Sequence, residues 1–304
     1  VWDLLTVEQA AADAHRVVEL LKPLYAGPWL NAGWSKGGQA AVYHRFFYPD
    51  DVVGTVAYDA PLPRSLEDER LDYFFSAIGS DSCRDGLQEF QRAVLEARDE
   101  IVPRFRWWAR GMDLELSVGE ERVFEYAVLE FPFSFWQYTD ADCGRLPGRG
   151  ADPDLLLAKL LEVVGIGWYS DDTLDSPAFH QFCTELGYYG NQTEHLQDLL
   201  RESEYPNCRW APGWPDIEFD PAPTRALAEW LQTEAERIMT IYGALDPWSA
   251  PAMPVNERLD QHQIWLYEGN HFTFISSLND HDADEAVATL KRWLAGEPPM
   301  AEEP

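Results

Sequence analysis

Lysine is nearly missing from this 304-residue chain, which holds Lys22, Lys36, Lys159 and Lys291; with 23 Lys and Arg against 53 Asp and Glu, the formal net charge is −30. So acidic a surface repels a phosphate backbone, which excludes nucleic acid as a partner. It suits either attraction of cationic peptide N-termini or a strongly solvated exterior. Long apolar runs are lacking too. None reaches the roughly 20 residues that span a bilayer, and no basic-then-apolar leader opens the chain, so no membrane partner is expected. Cysteine is sparse: Cys83, Cys143, Cys183 and Cys208 form no C-x-x-C. Neither the cysteines nor the histidines fall at metal-ligand spacings, so no metal and no other cofactor is expected. The four cysteines occupy the middle of the chain. One or two disulfides in an oxidising compartment are compatible with that, and three connectivities are open.

What is present suits a folded protein: 46% hydrophobic and 13% aromatic residues, over a length sufficient for one large core or two smaller ones. Gly33-Trp34-Ser35-Lys36-Gly37-Gly38 sets a serine between glycines two residues away on each side. A nucleophile elbow needs this pattern, because a strand turns sharply into a helix and the glycines make room for the turn that lifts the hydroxyl out. The context agrees. Pro28 to Ala32 reads as a short buried strand, and Gly38 to Phe47 as a helix that Pro49 stops. Ser35 is the candidate nucleophile, and the backbone N–H of Lys36 the candidate for half of an oxyanion hole.

A serine nucleophile needs a base to take its proton and an acid to orient the base. Arg237 to Gly243 reads as a strand, followed by the turn Ala244-Leu245-Asp246-Pro247-Trp248; Asp246 is the candidate acid. Gln263 to Tyr267 reads as a further strand, running into Glu268-Gly269-Asn270-His271, where Gly and Asn allow a tight loop; His271 is the candidate base. The order Ser, Asp, His, each partner following an apolar strand, is that of an α/β-hydrolase. The remaining histidines lack such a frame. His15 and His44 lie on amphipathic helices, His180, His195 and His262 have no nucleophile nearby in sequence, and His281 sits at a helix N-terminus.

Around these residues the chain resembles the PS-10 peptidase family of secreted bacterial serine peptidases. The likeness runs through Gly33 to Gly38, Val42 to Arg45, Phe47 to Val52, Val56 to Pro61, Phe131 to Tyr138, Tyr242 to Trp248 and Gly269 to His271. It implies Ser35, Asp246 and His271 as a triad on an α/β-hydrolase core with a helical cap, secretion, and a peptide substrate from which short tri- or tetrapeptides are released at a free N-terminus, often after proline. Two positions depart from the family pattern. Asp59 stands where an apolar residue is expected, and Glu268 where a small one is usual.

Thr6 to Tyr25 reads as a capped amphipathic helix, and helix, strand, elbow, helix and then strand Val52 to Tyr58 form a doubly wound α/β pattern. Ser65 to Pro221 is acidic, aromatic and helical in period, with helices expected over Leu87 to Ile101, Val123 to Trp136, Asp154 to Val164 and Glu194 to Glu204. The expected organisation is a first core part over 1–63, a large inserted helical cap over 64–222, and a second core part over 223–304 that closes with a helix, Asp284 to Leu294, and a disordered Pro-Glu tail. With 34 residues before Ser35, the core, with its mainly parallel sheet, reads as N-terminally incomplete, so weak activity is expected of the chain by itself. Within the cap, Glu125 and Glu130 are the candidate partners for a substrate ammonium, and Phe133, Phe135 and Trp136 for a proline ring. Two alternatives remain at this stage: an esterase or acyl hydrolase on the same core, and an impaired form acting as a binding module.

Overall fold

The computed structural model describes residues 2–173 and 176–298. The tail beyond residue 298, read above as disordered, lies outside the described residues. Among these are four strands, β1 Leu30–Trp34, β2 Gly54–Tyr58, β3 Ile238–Gly243 and β4 Gln261–Leu266. The helices in chain order are α1 Val7–Leu21, α2 Lys36–Phe47, α3 Glu69–Ala77, α4 Asp81–Glu96, α5 Arg98–Gly111, α6 Glu120–Tyr138, α7 Pro153–Val163, α8 Pro177–Gln181, α9 Ala222–Thr233 and α10 Asp280–Ala295. The chain divides into two compact units, one of Val1–Leu66, Thr184–Gly187 and Phe219–Pro304, the other of Glu67–Cys183 and Tyr188–Glu218.

All four strands belong to the first unit and pair in parallel in the order β1-β2-β3-β4. Parallel strands need crossovers, and helices supply them: α2 links β1 to β2, while α10 packs Ala286 and Trp293 against Val56, Met239 and Ile241. β3 is buried along its whole length, as a strand covered on both faces must be. This is the mixed α/β architecture of an α/β-hydrolase core. Helix ends follow local chemistry. Thr6 accepts from the Gln9 N–H to cap α1, which stops at Leu21 rather than Tyr25 because Pro23 follows, and Asn279 caps α10 four residues earlier than the apolar period suggests.

The second unit is helical. The helix expected over Leu87 to Ile101 is two helices, since the chain breaks at Ala97, and α3 was not anticipated. The helix expected over Glu194 to Glu204 is a correction: one 3-10 turn, Glu194–Leu196, forms there. Its residues bond to tertiary partners, with His195 Nε2 2.9 Å from Gln91 Oε1 and the Leu199 carbonyl accepting from Arg98 at 2.8 Å. Pro132 inside α6 leaves the Val128 carbonyl without its helical N–H, and the buried Gln91 amide donates to that oxygen at 2.8 Å. Two disulfides, Cys83–Cys143 and Cys183–Cys208, brace this unit and settle the connectivity left open by the sequence. No helix among the described residues is long and apolar enough to cross a membrane.

Candidate functional site

Ser35 sits between β1 and α2 with φ 57 and ψ −130, a left-handed conformation that a side-chain-bearing residue adopts only when its surroundings impose it. They do so here. The Ser35 N–H donates to the Tyr58 carbonyl at 2.8 Å, and its own carbonyl accepts from Gly38 and Gln39, opening α2. Gly33 is obligatory, because a Cβ there would lie 2.0 Å from the Gly37 carbonyl oxygen. Gly37 is not, since a Cβ there would meet nothing within 4 Å; the close approach belongs to Gly38, whose Cβ would come 2.6 Å from that of Ala60. The Ser35 side chain makes no capping bond to α2, and Lys36 is the helix's first residue, where N–H groups lack intrahelical acceptors.

Asp246 follows β3 and His271 follows β4, and both are buried. His271 Nδ1 lies 2.7 Å from Asp246 Oδ2, while Asp246 Oδ1 accepts from the Trp248 N–H at 3.2 Å. Burial raises the Asp246 carboxyl above its ordinary range, and His271 pulls it back. The two loops are tied to each other by backbone bonds: Leu245 N–H donates to the Gly269 carbonyl, and a Cβ on Gly243 would fall 2.3 Å from the Asn270 oxygen. His271 also meets the elbow. Its carbonyl accepts from Trp34 Nε1 at 2.5 Å, and the two rings are 4.9 Å apart, so the residue before Ser35 carries the imidazole loop. An imidazole held by a buried carboxylate at Nδ1, on a loop that bonds the residue before a strained serine, has the chemistry of a base and then of an acid.

Asp59 is the residue that sequence reasoning undervalued. It stands where the family pattern has an apolar residue, and it is fully buried at the end of β2, with φ 45. Its Oδ1 accepts from Gly243 N–H at 2.8 Å and its Oδ2 from Thr273 N–H at 3.2 Å. Ligand atoms of Asp59, Asp246 and His271 lie within 4.8 Å of one another, a set that a metal ion would fit by donor type. The carboxylate oxygens are already committed to N–H donors, so a cation would have to displace those bonds. The available signal for Asp59 was its place straight after a strand paired to the acid-bearing strand, which needs the register Ala57 to Thr240 to be known.

The substrate-binding candidates all lie on α6. Glu125 is buried with Arg98 as its ion pair, and it accepts from Tyr205 Oη and from Arg201 N–H at 3.1 Å. That corrects its candidacy, because its oxygens already serve a cation inside the second unit. Glu130 differs. It is half-buried, accepts from Ser134 Oγ at 2.7 Å and from Tyr189 Oη, and burial raises it to about 7. Phe133 stacks on Tyr189 with ring centroids 4.0 Å apart. Trp136 is interior, packed beside Gly79 and edge-on to Phe135, which is itself buried; both fill core and present no surface for a proline ring.

A family model described as PS-10 peptidase S37 matches residues 1–303. Over 313 residues the chain is 34% identical to a prolyl tri/tetrapeptidyl aminopeptidase of Streptomyces mobaraensis, the match covering 99% of this chain and 65% of that protein. The chain thus spans about 65% of the length of that curated relative. Among solved structures it is similar to one described as "Crystal structure of VinJ", with a TM-score of 0.40 and 15% identity, covering 98% of this chain and 75% of the other.

Proposed function

The chain belongs to the PS-10 peptidase S37 family, and from that premise we propose that it carries the triad of a serine exopeptidase acting on peptides with a free N-terminus, probed most directly through Ser35. In this reading His271 takes the Ser35 proton as the hydroxyl attacks the scissile carbonyl and returns it to the leaving amine, and Asp246 holds the imidazole tautomer and stabilises the imidazolium. The Lys36 N–H supplies one donor to the developing oxyanion. Water then releases the acyl group by the same proton route in reverse. The carrying observation is the 2.7 Å contact of His271 Nδ1 with Asp246, on a loop tied through Trp34 to the strained elbow.

Glu130 is the proposed partner of the substrate ammonium, with Phe133 beside it, because among the described residues its carboxylate is held by hydroxyls and by no cation. Release of tri- or tetrapeptides after proline is proposed from the relative described as a prolyl tri/tetrapeptidyl aminopeptidase. Secretion, which the family resemblance implies, is proposed as well and fits the two disulfides. The test is a fluorophosphonate probe, with the adduct located by peptide mass, followed by matched proline peptides with free and N-acetylated termini. An adduct on Ser35 and a preference above about tenfold for the free amine are expected, since losing a buried charge pair costs about 2–5 kcal/mol. An adduct elsewhere, or none, removes the serine-hydrolase reading; equal rates on the two peptides remove the aminopeptidase reading alone.

A further inference from the structure

Three loops meet at one buried carboxyl that the acylation steps do not use. Asp59 leaves β2 in a left-handed conformation, and its N–H donates to the Ile241 carbonyl of β3 at 2.8 Å. The preceding residue, Tyr58, accepts from the Ser35 N–H. The Asp59 side chain then reaches the two loops beyond: Gly243, three residues before Asp246, and Thr273, two residues after His271. One side chain therefore bonds the loop of the acid and the loop of the base, while its own backbone neighbour bonds the nucleophile. An apolar residue there would leave two buried N–H groups without acceptors.

We propose that Asp59 is a positioning residue for this chemistry, clamping the Asp246 and His271 loops in register with the elbow and setting a second carboxyl beside the acid–base pair. The inference rests on the triad reading. Its physical content is that the relative placement of Asp246 and His271 depends on two acceptor atoms at one residue, and that misplacement of reacting groups by about 1 Å costs about a hundredfold. The groups that face Asp59 are Asp246 and His271; burial, and after it the charge of Asp246, raise the Asp59 carboxyl to about 8 against the two N–H donors that pull it down.

The test compares the chain with Asp59→Asn, which keeps one acceptor, and Asp59→Ala, which keeps none. The readouts are solvent exchange of the His271 Nδ1 proton by NMR and the rate of fluorophosphonate labelling at Ser35. Exchange is expected to accelerate and labelling to slow by about tenfold or more in the alanine variant, with asparagine between. A folded variant of either kind with both rates within about twofold of the parent overturns the proposal. Should neither variant fold, the unmodified chain decides. The amide protons of Gly243 and Thr273 should shift with pH together with the Asp59 carboxyl carbon, and amide shifts that do not follow that carbon overturn the clamp. A parent chain that keeps the Nδ1 proton but takes no probe at Ser35 instead defeats the serine-hydrolase reading, and leaves the clamp standing.

Discussion

The carboxylates of the candidate site in the first unit and those on α6 in the second are held by different means, although elsewhere in the first unit Asp51 and Asp260 rely on side chains as well. In the first, Asp59 and Asp246 take their bonds from backbone N–H groups of Gly243, Thr273 and Trp248 and from one imidazole, donors that the parallel sheet and its loops place. In the second, Glu125 and Glu130 rely mainly on side chains, those of Arg98, Tyr205, Ser134 and Tyr189. Backbone donors survive any single substitution that preserves the fold, whereas side-chain donors are lost one mutation at a time. The first arrangement ties the carboxylates to main-chain positions; the second ties Glu125 to a cation while Glu130, on the same helix, is held by hydroxyls.

The largest effect should come from breaking the backbone-held pair at its imidazole. Asp246→Asn keeps the shape but reverses the hydrogen bond that sets the His271 tautomer, so Ser35 labelling should slow by about 10⁴-fold, with Tm little changed. A loss below about tenfold would mean that Asp59, whose carboxyl lies within 4.8 Å of the imidazole, replaces the acid. Adding Asp59→Asn would then remove the residual rate, and the comparison would sharpen into two interchangeable carboxyls.

Next in size is the side-chain-held pair. Arg98→Met leaves the Glu125 charge buried without its cation, which should cost about 3–5 kcal/mol by denaturant unfolding. A loss under about 1 kcal/mol would show that Tyr205 and the Arg201 N–H suffice, and that the second unit is as redundant as the first. Removing the disulfide that closes a 25-residue separation, by Cys183→Ser with Cys208→Ser, should cost about 3 kcal/mol in the same unit. Because the first unit holds no cysteine, reducing agent should lower unfolding stability while leaving the Ser35 labelling rate of the folded chain within about twofold.

The same contrast separates what is legible in the sequence from what is not. Around Ser35, Asp246 and His271 the determinants are local: a glycine demanded by close approach, an Asp-Pro turn, a Gly-Asn loop, each after a strand. The strands at Leu30–Trp34, Ile238–Gly243 and Gln261–Leu266 fall within three residues of the apolar runs that announce them. Asp59 was illegible in role because its partners, Gly243 and Thr273, lie about 180 and 210 residues away and meet it only through strand register. The second unit hid more. No glycine or proline marks the break at Ala97, the acidic run Glu194 to Glu204 has helical period but spends its carbonyls on arginines, and disulfide pairing needs the packed helices.

Glu130 gives a smaller effect with a definite sign. Burial lifts it from 4.5 to about 7, so between those values the unfolded chain is ionised while the native chain keeps the proton. Native stability therefore falls as pH rises through that window and levels off above it. Glu130→Gln has no proton to lose. Its Tm relative to the parent should rise between about pH 5 and about pH 8, and a difference constant with pH would show that Glu130 is not held neutral. Substrate affinity runs the other way: an ammonium needs the ionised carboxylate, so KM for free-amine peptides should fall as pH rises through about 7 in the parent and lose that limb in the glutamine variant.

The smallest effect separates the glycines of the elbow. Read as a motif, Gly33 and Gly37 are equivalent, one on each side of Ser35. The structure makes them unequal: a Cβ on Gly33 would overlap the Gly37 carbonyl, whereas a Cβ on Gly37 points into open space from the second residue of α2. Glycine in a helix costs about 0.5–1 kcal/mol relative to alanine, through the extra freedom of the unfolded chain. Gly37→Ala should accordingly leave Tm unchanged or raise it slightly, by no more than about 1 kcal/mol in unfolding free energy. A loss of more than about 1 kcal/mol would mean that the turn is tighter than its backbone indicates, and that both flanking glycines, with Gly38, are structural requirements of the elbow.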